Sequence, residues 1–403
     1  MSAAETDAAR ETAGAAAAAE TSATAPASLC PQRRGADEAH PAEVELLRGL
    51  VAIPSPSGQE REAVEYLCAA MDRLGFATAI DAVGNAIGRI GTGPREVVLL
   101  GHIDTVPGAI PVRIEDGVLH GRGAVDAKGP LATFVCAAAR AVAGGLTGLR
   151  LTVIGAVGEE ADSAGAHHVV GRYRPDFALI GEPSGWDSVV LGYKGSMSAT
   201  YALRQSGAHS AAPIATAPQV ALDFWNRVMA HAADFNAGRT AAFDRLEPKL
   251  RAINSRTDGL HEEVALRMGF RLPLDLDGAT LTATLRQLAR IEASVDEAAA
   301  EIEASTAIEV AEALPAFRSE RTSPLVRPFL PAIRAAGGKP RFKVKTGTAD
   351  MNIVGPAWGC PIVAYGPGDS KLDHTPNERI DIAEYLRAVR ILAAAIRGLQ
   401  VAG

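Results

Sequence analysis

The stretch VVLLGHIDTVPG, residues 97–108, puts a histidine at the end of an apolar run and a carboxylate two positions on. Val97, Val98, Leu99 and Leu100 follow one another without a polar break, which suits a short strand covered on both faces. Gly101 permits close packing or an unusual backbone angle. In extended chain His102 and Asp104 point to the same side. A carboxylate there can fix the tautomer of the imidazole and orient its ring, as the outer partners of metal-bound histidines do. A strand-end histidine with a local hydrogen bond would look the same, so the rest of the chain must decide.

Outward from this strand, apolar runs alternate with helical periodicity. On the N-terminal side, AEVELLRGLVAI and EREAVEYLCAAMDRLGF read as amphipathic helices, the second ended by Gly75, and ATAIDAVGNAIGRIG reads as a hairpin. Beyond it come a strand pair around VRIEDGVLHGRG, a helix over 129–143, the strand LRLTVIGAVG, the helix SAGAHHVVGRY and the strand DFALIGEP. Strands alternating with helices predict an α/β sheet with helices on both faces. Near residue 190 the texture changes. VVLGYKGSMSATYALRQSG reads as one long alternating strand, followed by a helix over 217–235, a strand VALRMGFRLP and a helix TLTATLRQLARIEA. That is the pattern of a smaller α+β unit, one ferredoxin-like sheet with two helices. From about 318 the α/β texture returns with a helix SPLVRPFLPAIRAAGG, a strand PIVAYGPG and a last helix DIAEYLRAVRILAAAIRGL. The expected organisation is a catalytic domain over 41–190 and 318–403, with a lid or dimerisation domain over 191–317 inserted into it. Residues 1–40, rich in Ala, Thr, Ser and Glu, have little to bury and read as a disordered extension.

The 403 residues carry a net charge of −7, with 47% hydrophobic residues, so neither nucleic acid nor an anionic membrane is an expected partner. No apolar run reaches the roughly 20 residues of a membrane span. Cys30, Cys68, Cys136 and Cys360 are scattered, without zinc-type spacing or a disulfide framework, and a reducing cytoplasm is the simplest setting.

Several ionisable residues sit just past apolar runs. His102 follows VVLL, Glu159 and Glu160 follow LTVIGAVG, and Glu182 follows FALIG. Ligand sites of open α/β sheets form outside the carboxyl ends of the strands. Asp126 precedes a predicted helix, and His374 lies in a loop before the last one. Each alone has an ordinary explanation: a solvated loop Glu, or an Asp at a helix start. Together they bring two imidazoles and four carboxylates to one sheet edge, where the carboxylates would repel each other unless cations were bound.

The blocks GHIDTVPG, GRGAVDAKG, GEE, GEPSG and DHTPNE, in this order, resemble the signatures of the co-catalytic dizinc aminoacylase and peptidase family of acetylornithine deacetylase and succinyl-diaminopimelate desuccinylase. The resemblance runs from about residue 42 to 400. It implies a mixed-sheet zinc-peptidase-like domain binding two Zn2+ per subunit, with Co2+ an acceptable substitute. By this resemblance His102 and Glu182 hold one metal, Glu160 and His374 the other, and Asp126 bridges them, followed by a cis peptide bond. Asp104 orients His102, and Glu159 is the general base. His209, in SGAHSAAP, resembles an inserted-domain histidine that stabilises the oxyanion, often in the partner subunit of a homodimer. Arg271, in GFRLP, resembles an arginine that holds a substrate carboxylate, although Gly269 stands where the family has an acid.

RIEDGVLHGRGAVDAKGPLATF, GEPSGWDSVVLGYKG and KTGTADMNIVGPAWGCPIVAYGPGDSKLDHTPNE are most similar to the branch that hydrolyses lysine or ornithine from the terminal γ-glutamyl group of a small acidic amino-group carrier protein. Lys339, Arg341, Lys343 and Lys345 would share one face of an extended strand, either as a carrier-docking face or as a solvated edge. Acetylornithine deacetylase, succinyl-diaminopimelate desuccinylase, a general dipeptidase or aminoacylase, and a metal-free binding module on the same fold remain alternatives.

Overall fold

The structure, a computed structural model, describes residues 41–290 and 304–400. The expected extension over 1–40 and the last residues of the helix expected over 280–293 lie outside the described residues. The chain begins with α1 (Pro41–Ala52), α2 (Arg61–Arg73), β1 (Ala77–Ile80), β2 (Ala86–Ile90), β3 (Arg95–His102), β4 (Arg113–Glu115), β5 (Val118–His120), α3 (Lys128–Ala143), β6 (Leu149–Ala156), α4 (Ala164–Val170), β7 (Phe177–Gly181) and β8 (Ser188–Tyr193). It continues through β9 (Gly195–Ser206), α5 (Ala217–Phe235), β10 (Glu247–Thr257), β11 (His261–Leu272), α6 (Gly278–Leu288) and β12 (Ala304–Leu314). It closes with β13 (Phe317–Arg318), α7 (Phe329–Ala335), β14 (Arg341–Lys345), α8 (Met351–Trp358), β15 (Ile362–Ala364), β16 (Arg379–Asp381) and α9 (Ile382–Gly398).

The apolar run of β3 lies in the middle of a mixed sheet of order β1-β2-β6-β3-β7-β15-β8-β13, with β14 also on β8. β3 is parallel to β6 and to β7. All four side chains from Val97 to Leu100 are fully buried. Val97 and Leu99 pack into the core beneath α1, α2, α3 and α9, while Val98 and Leu100 face α4 and α8. Burial of each such side chain contributes roughly 1.5–3 kcal/mol. Both faces are covered, so the strand is apolar throughout rather than alternating. Where β3 ends, Gly101 lies against Gly181 of β7; a Cβ on Gly181 would stand 3.1 Å from the Gly101 Cα. Two glycines side by side let these strands run close together up to the point where His102 and Glu182 emerge.

The segment expected as one strand over 189–207 is two. β8 belongs to the large sheet and β9 to a separate antiparallel sheet of order β10-β11-β9-β12, packed on α5 and α6. Lys194 is the break. Its fully buried ammonium donates to the carbonyls of Ala242 (2.9 Å) and Arg245, and lies 3.4 Å from Glu247. The return crossing, at Pro315, runs alongside, and the Asn352 side-chain amide donates to both the Lys194 (3.0 Å) and Pro315 (2.7 Å) carbonyls. β8 is buried along its whole length and only β9 alternates, yet both read as extended chain, so the pattern did not place a change of sheet between them.

Several elements had no clear signal in the sequence. β10 and β12 are the polar edge strands of the smaller sheet, and most of their side chains are exposed. α8 contains Gly355 and Pro356 and reads as loop, yet Gly355 fits because Phe317 packs where a Cβ would stand. β16 has three residues. The helix expected over 323–338 is confined to α7, because Pro328 disfavours helical backbone at Arg327 and Pro331 is tolerated only in a first turn. Cys68, Cys136 and Cys360 are free. Among the described residues no helix is long and apolar enough to cross a membrane.

Candidate metal centre and active site

Three strand ends and two loops bring the side chains together. His102 ends β3, Glu159 and Glu160 follow β6, and Glu182 follows β7. Asp126 comes from the loop ahead of α3, and its peptide bond to Ala127 is cis. His374 comes from the loop ahead of β16, in a left-handed conformation with φ of 59°. His102 Nδ1 lies 3.0 Å from the backbone oxygen of Asp104, so a proton on Nδ1 is held there. This turns Nε2 toward Asp126 Oδ1 at 3.3 Å and Glu182 Oε1 at 4.0 Å. The other oxygen of Asp126 is 3.1 Å from His374 Nε2, which also lies 2.9 Å from Glu160 Oε1. Two donor sets result, His102–Asp126–Glu182 and Asp126–Glu160–His374, each with its ligand atoms within 4.8 Å of one another. Asp126 belongs to both. Glu159 groups with His102 and Glu160 but lies outside the two sets that share Asp126.

The adjacent glutamates, whose order the spacing left open, are therefore placed differently: Glu160 meets His374, and Glu159 does not. Asp104 has a wider part than the sequence implied. Its fully buried carboxylate accepts from Ser57 Oγ (2.7 Å), Glu159 N (3.1 Å) and Glu160 N (3.0 Å), so it fixes the turn carrying both glutamates as well as His102.

Charge balance explains what this cluster requires. Burial pushes Glu159 well above the usual carboxyl range; His102 opposes the shift, and Glu182, Asp350 and Glu160 add to it. Burial raises Glu182 to about 8 and Asp350 to about 7, in both cases against the pull of His102. Burial likewise raises Glu160. For His102 burial disfavours the cation, but hydrogen bonds to Asp104 and Asp126 outweigh it and raise the imidazole well above its ordinary value. His374 is raised to about 9, chiefly by its hydrogen bond to Asp126. The cluster thus holds protons where it lacks positive charge. Imidazole nitrogens and carboxylate oxygens facing a shared carboxylate are a donor set suited to divalent cations such as zinc.

Other contributors were not read from the sequence. Glu378, whose carboxylate is fully buried, accepts from the Val125 (2.9 Å) and Asp126 (3.0 Å) amides and pairs with Arg122 at 2.6 Å, holding the backbone that carries Asp126 in place. Asp350, buried at the start of α8, leaves Oδ1 without a hydrogen-bond partner. Glu378 closes the block DHTPNE and Asp350 lies in KTGTADMN, so both stood in stretches that carry the resemblance, but what they do emerges only from their packing.

The basic row lies on β14, an edge strand that among the described residues pairs only with β8, where Arg341 and Lys343 are exposed, yet three of its cations also have partners in the protein. Arg341 pairs with Asp187 at 2.6 Å, Lys343 Nζ donates to the Ser184 carbonyl at 2.6 Å and Lys345 Nζ to the Pro183 carbonyl at 2.5 Å. Three cations of β14 grip the loop that follows Glu182. Lys345→Met is expected to weaken metal affinity about tenfold, the lower end of what outer-sphere partners contribute. Competition with a chromophoric chelator measures this, and unchanged affinity would mean the loop holds Glu182 without the strap.

The two residues from the smaller unit are placed differently from each other. Arg271, half-buried on β11, reaches into the large unit, with Nη1 3.4 Å from Thr348 Oγ1. His209 is exposed in the β9–α5 loop, its Nδ1 accepting from the Ala211 amide at 3.1 Å. Within one chain the structure does not join it to the donor sets.

Residues 98–398 match the family described as peptidase family M20/M25/M40. The chain is 44% identical over 360 residues to "[LysW]-lysine hydrolase" of Deinococcus radiodurans, covering 88% of this chain and 96% of that protein. It is 42% identical over 365 residues to "Putative [LysW]-lysine/[LysW]-ornithine hydrolase" of Thermococcus kodakarensis, covering 89% and 92%. Among solved structures it resembles aminopeptidase PepT of Bacillus cereus, with a TM-score of 0.72 at 19% identity over 89% of this chain and 98% of that one. An M20 family metallo-carboxypeptidase of Sulfolobus solfataricus gives a TM-score of 0.70 at 16% identity over 89% and 99%. These two likenesses bear on the fold.

Proposed function

We propose, for a chain that belongs to peptidase family M20/M25/M40 and is a metal-dependent hydrolase of amide bonds, that it releases lysine or ornithine from the C-terminal γ-glutamyl linkage of a small acidic amino-group carrier protein in the cytoplasm. The supporting observation is the pair of donor sets sharing Asp126, together with a glutamate, Glu159, that stands beside them and outside both. Relatives named for LysW-linked lysine and ornithine support the substrate.

In this reading His102, Asp126 and Glu182 hold one zinc ion, and Asp126, Glu160 and His374 the other; cobalt suits the same donors. Such a pair, when bound, polarises the amide carbonyl and acidifies a water molecule. Glu159 takes the proton of that water as the C–O bond forms. It then delivers the proton to the leaving α-amine as the C–N bond breaks. Asp104 positions His102 and the 159–160 turn. Arg271 holds a carboxylate of the substrate. The chain works as a homodimer through its inserted unit, and the exposed His209 serves the oxyanion in the neighbouring subunit.

The test is hydrolysis of a carrier C-terminus bearing γ-glutamyl-linked lysine or ornithine, beside N-acetylornithine and N-succinyl-diaminopimelate, with zinc or cobalt. Release from the carrier substrates is expected. Preference for N-acetylornithine would move the chain to the deacetylase branch. An acidic carrier should also be drawn by positive charge near the cleft. Lys339 is the exposed member of the basic row with no part in gripping the 183–187 loop. Lys339→Glu is therefore expected to raise carrier KM several-fold at low salt; an unchanged KM would take the basic row out of docking altogether.

A further inference from the structure

The open face of the smaller sheet carries a second arginine beside Arg271. Even-numbered residues of β11 from Val264 to Leu272 pack on α5 and α6, so Gly269 and Arg271 lie on the opposite face. β10 carries one extra residue at this point: Leu250 stands opposite Met268 and Ala252 opposite Arg267, leaving Arg251 in a bulge. Bulges re-aim the side chain they carry. Here the bulge lays the guanidinium over Gly269, where a Cβ would stand 2.5 Å from Arg251 Nε and 3.1 Å from Nη2. This accounts for glycine at 269: the space is taken by Arg251. Arg251 is exposed, and among the described residues no carboxylate lies within ion-pair distance of it or of Arg271. The acid opposite Arg271 on β10, Glu247, is directed to Lys194 instead. The two neighbouring guanidiniums repel each other, Glu247 offsets this only in part for Arg271, and the arrangement becomes more favourable when a carboxylate enters.

We propose that Arg251, laid over Gly269 beside Arg271, is a specificity-determining residue that binds a second carboxylate of the substrate. This rests on the substrate proposed above. A γ-linked terminal glutamate carries a free α-carboxylate on the acyl side of the scissile amide, and the released amino acid carries another on the leaving side. A two-arginine seat matches a substrate with two carboxylates and not an N-acetyl amino acid with one.

The experiment uses the full-length, metal-loaded protein and two acidic peptides that end in glutamate bearing γ-linked lysine. One has the terminal α-carboxylate free, and the other has it amidated. Wild type should prefer the free acid by about 10- to 100-fold in kcat/KM, through KM, the size expected of hydrogen bonds to a charged group. Arg251→Gln should bring the ratio close to one, and Arg251→Lys should leave an intermediate ratio. Gly269→Ala should act like Arg251→Gln, because its methyl group displaces the end of a flexible side chain; melting curves verify that each variant is folded. A wild-type ratio near one, or an unchanged ratio in Arg251→Gln, overturns the proposal while the hydrolase reading stands. Failure of wild type to hydrolyse either peptide overturns the substrate reading and this inference with it.

Discussion

Glu159→Gln is expected to lower kcat by about 10²–10⁴-fold, the usual contribution of a positioned general base. Metal binding should survive, because Glu159 lies outside the two donor sets that share Asp126. The amide is nearly isosteric with the carboxylate and cannot accept the proton. It also removes one acid from a crowded group in which burial, Glu182, Asp350 and Glu160 all press Glu159 toward its neutral form. The folded metal-free variant should therefore be at least as stable as wild type. Glu160→Gln makes the contrast, since it alters a group 2.9 Å from His374 and should weaken metal binding itself. Turnover and metal content measured on both variants decide the matter. Near-normal turnover in Glu159→Gln would show that the base lies elsewhere, and equal metal loss in both would remove the distinction between the adjacent glutamates.

Removal of metal is expected to make stability fall steeply with rising pH. Burial raises the carboxyl groups of Glu159 and Glu160, Glu182 to about 8 and Asp350 to about 7, while hydrogen bonding to carboxylates raises His374 to about 9. All of these shifts have the same sign. The folded metal-free protein keeps protons that the unfolded chain gives up, so stability falls wherever the unfolded state binds fewer protons. For Asp350 the loss runs from the ordinary value of 3.8 to about 7, for Glu182 from 4.5 to about 8, and for His374 from 6.5 to about 9. Asp104 and Asp126 are lowered and act in the opposite direction, but their effect lies below the ordinary Asp value of 3.8. Divalent metal displaces the protons, so its stabilising effect should grow with pH, reaching about 2.7 kcal/mol at a free concentration one hundred times Kd. Melting temperatures from pH 5 to 9, with chelator and with zinc, would show two curves that diverge upward. A metal-free curve that is flat or rising across pH 6–8, or no zinc-dependent shift at all, would contradict the donor sets.

Much of this was legible in the chain because the features were local. The VVLL run announced a strand covered on both faces, since two-sided burial removes alternation. His102, Glu159, Glu160 and Glu182 were conspicuous as acids and an imidazole just past apolar runs, whereas Asp126 and His374 stood in loops, and the division of the group into expected ligands and base came from the family resemblance. The mixed α/β architecture followed from the alternation of periods. The tertiary structure alone decided the rest. It broke the expected strand over 189–207 at Lys194, because the groups that hold the break, Ala242, Arg245, Glu247 and Asn352, come from distant parts of the chain. It separated Glu160 from Glu159 through His374, more than two hundred positions away. It turned the basic row onto the 183–187 loop and laid Arg251 over Gly269. Each of these depends on which backbone amides, carbonyls and side chains meet across long sequence separations, and composition, period and spacing hold no record of those meetings.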